Sequence, residues 1–180
     1  SLIVYKTDAF EKEQRHTTAQ LNAATYGERI KNEIVNGTEI TDTLEQILIS
    51  DDGTIKHFNT IAKNLMSDSI ESVQLAPHGV VTDIYPAEGN EAGKIDLLHD
   101  KDRGEISCYA RDNHTVITQG PFELKQGDYG IAVRNPVYLN DENGQEYFWG
   151  FTIVILRVPE IFSDSISALS NFGYEYKLSK

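Results

Sequence analysis

Apolar residues are sparse and widely spaced at the start of this chain. Phe10, Leu21, Ala24, Ile30 and Ile34 stand among polar neighbours with no Gly or Pro before Gly27, and that spacing predicts one long helix with a narrow apolar stripe. Asn36-Gly37 tolerates the left-handed backbone that closes helices, so this helix is expected to span residues 1–36. Gly27 weakens it by about 1 kcal/mol without breaking it. Asp42 and Glu45 have capping-box spacing, and Leu44, Ile47 and Leu48 add a short apolar face ending at Asp51-Asp52-Gly53. A further short helix follows, because Phe58, Ile61, Ala62, Leu65 and Met66 recur on one helical face.

From Ile70 the period changes. Val73-Gln74-Leu75-Ala76 reads as a strand, Pro77-His78-Gly79 as a turn and residues 80–85 as a second strand. Residues 85–103 read as loop and helix, with Asn90 as a cap. Strands are predicted at 116–118, 130–138 and 147–157, the last two joined through Asn143-Gly144, a strong hairpin turn. Pro159 suits the first turn of a helix whose Phe162, Ile166 and Leu169 form one face, and residues 174–178 close the chain as a strand. Helices first and antiparallel strands after them make an α+β domain with one sheet.

A chain of 180 residues with 39% hydrophobic and 24% charged residues is long enough to bury a real core as one domain. The net charge of −12 argues against nucleic-acid partners, whose phosphates demand a basic surface, and an anionic bilayer would repel it too. No run approaches the roughly 20 apolar residues that span a bilayer. The longest, residues 148–156, reads as a buried strand. No signal peptide is evident, and the reading is of an excised ectodomain with its anchors removed. Cys108, the single cysteine, has no internal partner for a disulfide.

Catalytic groupings are not evident. The five histidines (His16, His57, His78, His99, His114) lie far apart, and no Ser, Cys or Thr sits beside an obvious base. Asp96, His99, Asp100 and Asp102 cluster with Arg103, but calcium loops need more oxygen ligands and zinc sites more His or Cys. Solvated charge at a helix end, with Arg103 paired to one of the acids, fits better than a metal. Nothing calls for a cofactor.

Thr118, Gln119, Arg134 and Tyr138 differ, because they fall on or beside predicted strands whose alternate side chains face one enclosed side. An arginine among buried strands needs an anion, either an internal carboxylate or a ligand's acid group. Tyr85, Tyr109 and Tyr138 are core rings or pocket walls with a hydroxyl handle.

Three blocks carry a family resemblance: Tyr85-Pro86-Ala87-Glu88-Gly89-Asn90-Glu91-Ala92 running to Ile95-Asp96-Leu97-Leu98, Gly120-Pro121-Phe122-Glu123-Leu124-Lys125-Gln126-Gly127 running to Arg134-Asn135-Pro136-Val137-Tyr138, and Phe148-Trp149-Gly150-Phe151. In that order, behind a long helix, they resemble a CHASE domain. The resemblance implies an extracytoplasmic sensor between two membrane helices, binding a small molecule and reporting to a cytoplasmic histidine kinase or diguanylate cyclase. It also implies a stalk helix over residues 1–36 that forms a homodimer, a membrane-distal PAS-like lobe over 37–158 that holds the ligand, and the start of a membrane-proximal lobe over 159–180. In plant cytokinin receptors of this family a strand threonine two residues before the proline of a Thr-Ser-Pro-Phe block contacts ligand. Thr118-Gln119-Gly120-Pro121-Phe122 is one residue longer, so either Thr118 or Gln119 takes that place. The alternatives are a protein-interaction module with a self-filled PAS-like core, and a small hydrolase or metal-binding protein built on residues 96–102.

Overall fold

One helix of 49 residues, α1 (Leu2–Ser50), opens the chain. The computed structural model describes residues 2–88, 92–93, 95–125, 127–162 and 177–178. The expected helix end at Asn36-Gly37 is corrected: α1 runs through it and absorbs the segment around Asp42 and Glu45. Packing explains why. Ile30, Ile34, Gly37, Thr41, Leu44 and Leu48 are buried at alternating steps of four and three residues, one continuous helical face. A Cβ on Gly37 would lie 3.4 Å from Val133 Cγ2 and 3.5 Å from Leu156 Cδ2. The helix backbone thus packs onto the sheet at this point, and tertiary contact overrides the terminating signal.

After α1 come α2 (Phe58–Leu65), β1 (Ile70–Pro77), β2 (Asp83–Tyr85), α3 (Gly104–Asn113), β3 (Val116–Glu123), β4 (Tyr129–Asn140), β5 (Glu146–Val158) and β6 (Lys177–Leu178). The strands form one six-stranded sheet in the order β2-β1-β5-β4-β3-β6, antiparallel throughout. This is the α+β architecture expected, a long N-terminal helix before an antiparallel sheet with short helices.

The register divides the sheet into two faces. Val73, Val133 and Val154 stand side by side and pack with Leu44, Leu48 and Leu156 under α1. Ala76, Ile117, Phe151 and Ile153 point the other way and pack with Leu97 and Ala110 of the covering loop and α3. Each fully buried aliphatic side chain contributes about 1.5–3 kcal/mol, and the layer under α1, which holds most of the buried apolar residues, is the main anchor. A short polar chain joins sheet to helix on the α1 side. Thr152 Oγ1 donates to the Thr41 carbonyl at 2.9 Å and accepts from Asn135 Nδ2 at 3.3 Å. Trp149, also on that side, donates its indole N–H to the Gly53 carbonyl at 3.1 Å, just beyond the end of α1. Gly150 has φ 148, and a Cβ there would sit 2.1 Å from the Ala76 carbonyl oxygen, so no other residue fits.

Two further expectations change. The strand predicted over residues 80–85 contracts to β2, with Val80 making only a bridge to Asp96. Residues 95–103 hold turns rather than a helix; the helix comes later, as α3. Its buried residues are Gly104, Ser107 and Ala110, too small to print a hydrophobic stripe on the sequence. Asn90, Ile166, Leu169 and Tyr174 lie outside the described residues; the segment after Pro159 is described as a 3-10 turn at Glu160–Phe162.

Candidate ligand site

On the sheet face turned away from α1, the strands and the loop before α3 leave a cleft of about 350 Å³. Ser72 and Gln74 of β1, Arg134 of β4, and Ile153 and Ile155 of β5 line its sheet side. Ile95, Leu97 and Arg103 come from the covering loop, and Phe122, Glu123, Leu124 and Lys125 from the end of β3 and the turn beyond. Strand alternation explains the set: Gln74, Ile153 and Arg134 are direct cross-strand neighbours, as are Ser72 and Ile155.

Arg134 is the centre of the site's electrostatics. It is only 3% exposed, yet its partner is neutral: Nη1 donates to Gln119 Oε1 at 2.5 Å. The Gln119 amide in turn donates to the Asp102 carbonyl at 2.8 Å, so one side chain ties the arginine to the covering loop. Among the described residues no carboxylate lies within ion-pair distance of Arg134. Burial first, and then the positive charge of Arg103, push its pKa down to about 10 against the pull of Asp100. It remains a cation at neutral pH. Nearby, Arg103 pairs with Asp100 at 3.1 Å, the pairing expected for one of these acids. Burial raises the Asp100 carboxyl, but the backbone N–H groups of Arg103 and Asp102 and the Arg103 guanidinium outweigh it and hold it below the usual range.

The six residues singled out from sequence separate. Arg134 lines the cleft and Gln119 holds it in place. Thr118 is buried on the opposite face, beside Val133 under α1, because successive strand residues alternate sides. Tyr138 lies further along β4, its ring stacked on His114 at 3.8 Å and its hydroxyl donated to the Arg111 carbonyl. Tyr85 packs against the core under α1, and Tyr109 is 40% exposed on α3. Asp96 and His99 share a hydrogen bond of 2.8 Å, and no group of three potential metal ligands occurs among the described residues. Ser72 and Gln74 were missed. Their signal was present: polar residues two apart, alternating with Val73 and Leu75 in an otherwise apolar strand.

The CHASE domain family model matches residues 8–178. This chain belongs to the CHASE domain family. It is a sensor domain, and solved structures agree on the fold. An extracellular ligand binding receptor from Desulfohalobium retbaense superposes with a TM-score of 0.55 at 15% identity, over 81% of the CHASE domain and 26% of that chain. The ligand-binding domain of the Pseudomonas aeruginosa amino acid chemoreceptor PctC, in complex with GABA, gives 0.51 at 17% identity over 84% and 64%. The ligand-binding domain of the Campylobacter jejuni chemoreceptor Tlp3, in complex with 4-methylisoleucine, gives 0.53 at 12% identity over 82% and 58%. The CHASE domain thus spans less than two thirds of each of these chains. No curated protein matches its sequence.

Proposed function

We propose that this CHASE domain is the extracytoplasmic ligand-sensing part of a membrane receptor, that it binds a small molecule in the cleft over Arg134, and that α1 carries the response towards a cytoplasmic histidine kinase or diguanylate cyclase. One observation carries the reading: a buried arginine with no acidic partner among the described residues opens onto a cleft of ligand size. A self-filled core has no use for that space. The similarity in fold to receptor domains in complex with GABA and 4-methylisoleucine supports a small ligand. Membrane attachment would come from flanking helices; no described helix is long and apolar enough to cross a bilayer. The receptor is a homodimer through α1, whose exposed side carries Val35 and Ile49, each 50% exposed.

The test is a cleft-filling substitution. Ile155 is half-buried and lines the cleft, and an aromatic residue suits a strand. Ile155→Trp should leave the domain folded by circular dichroism and remove the thermal stabilisation given by whichever members of a metabolite panel stabilise the parent domain. Stabilisation retained in the variant places the ligand elsewhere.

A further inference from the structure

Resting on that reading of the cleft, we infer the ligand's chemical class: a monocarboxylate with a compact apolar body, its acid group forked onto Arg134.

The charge of the site sets the headgroup. A guanidinium offers five N–H donors in a planar fork, and Arg134 has a protein partner for Nη1 alone among the described residues. A buried cation left in this state is costly until an anion arrives, and a carboxylate matches the fork with two parallel hydrogen bonds. The other charges around the cleft do not compete for that anion. Arg103 is engaged by Asp100 and Glu71 by Arg157, while Glu88, Glu123 and Lys125 sit at the exposed rim. Among the described residues one buried positive charge is therefore unmatched, and one negative charge neutralises it. A dianionic phosphate would bring a surplus charge past two rim glutamates into a protein of net charge −12.

The walls set the body. Ile153 stands beside the arginine with Ile155 further along β5, and Ile95 and Leu97 line the cleft from the loop, an apolar wall that suits a branched chain or a single ring. Neutral polar groups are confined to Ser72 and Gln74, and these already bond each other at 3.0 Å. A sugar or other polyol, with hydroxyls on every side, has too few partners there.

Gln119 couples the site to the covering loop. Its oxygen takes one N–H of Arg134 Nη1 and leaves the others to the acid group, and the same amide holds the Asp102 carbonyl of the covering loop. Occupancy therefore acts on the loop as well as on the arginine.

The experiment compares matched probes on the isolated domain by thermal shift and calorimetry. Phenylacetate, 4-methylpentanoate, leucine and GABA are each set against the primary amide, and phenyl phosphate and glucose serve as the other classes. At least one carboxylate should raise the melting temperature, and its amide should bind about ten- to a hundredfold more weakly, the loss of a charge-assisted hydrogen bond. Leucine against 4-methylpentanoate reads whether an amino group also contributes. Arg134→Met should abolish the response while folding at least as well as the parent without ligand, since it removes a buried unpaired charge. Acid and amide binding equally, phosphate or glucose binding in place of every acid, or an unchanged acid response in Arg134→Met each overturns the inference while leaving a small-molecule cleft standing. If no carboxylate binds, the inference falls; if Ile155→Trp also fails to alter the response to any other stabilising compound, the cleft reading falls with it.

Discussion

Tyr138 donates its hydroxyl to a backbone carbonyl, a bond only the neutral phenol makes. Burial first, then Asp112 and Glu146, push its pKa from 10.0 up to about 12, with Arg111 opposing. The folded state holds this proton more tightly than the unfolded chain, so the stabilisation is whole below about pH 10 and is lost as pH rises towards about 12. Tyr138→Phe should therefore flatten the alkaline fall in stability measured by urea titration across that window; an identical fall in both proteins refutes the assignment. Asp100 has the opposite sign. Its carboxyl is held below the ordinary value of 3.8, so its contribution is present above that pH and lost as pH falls through the folded value. Asp100→Asn should lower the melting temperature at neutral pH and narrow its gap to the parent in acid. At this scale the sequence pointed to Arg134 and Gln119 because charge and amide stood out in apolar strands. It could not separate them from Thr118 and Tyr138: Thr118 turns to the opposite face, which depends on register, and Tyr138 shares the face of Arg134 but is taken up by His114 and the Arg111 carbonyl at the end of α3.

The helix α1 rests on the sheet through a glycine, and this gives a paired test at the scale of the element. Gly37→Ala puts a methyl at ordinary contact distance from Val133 and Leu156 and removes glycine's helix penalty, so stability should rise by up to about 1 kcal/mol. Gly37→Leu should lower it by about 1–3 kcal/mol through overpacking. Chemical denaturation of both reads the result, and equal losses would mean the helix does not approach the sheet here. Helix existence was legible from the sparse apolar spacing; its end was not. The Asn36-Gly37 pair looks like a terminator locally, whereas Leu44 and Leu48 extend the same face only when the count is carried across it. The helix α3 was illegible for a different reason, because its buried surface is made of Gly104, Ser107 and Ala110 and carries almost no hydrophobic signal.

For the molecule as a whole, the resemblance implies a homodimer through the helix, but Ile30 and Ile34 of its narrow stripe are buried in the domain's own core. Among the described side chains of α1, the proposed dimer has Val35 and Ile49 to use. Val35→Asp combined with Ile49→Asp should shift sedimentation equilibrium towards monomer without loss of helix content; an unchanged association constant removes this surface from the assembly. The general plan was more legible than any single residue. Blocks around Tyr85, Gly120 and Phe148 gave the family because they mark the turns and strand ends where backbone geometry restricts the residue, as Gly150 does beside Ala76.

Trp149, the chain's single tryptophan, stands on the α1 side of the sheet with its indole N–H on the Gly53 carbonyl. The cleft opens on the other side. The protein therefore carries a native fluorophore on the far side of the sheet from the cleft, beside the end of α1. An emission change on ligand addition would register movement transmitted through the sheet to the end of α1, free of direct quenching by the ligand and without any label. Saturable heat in a calorimeter with silent tryptophan emission would mean that binding stops at the cleft.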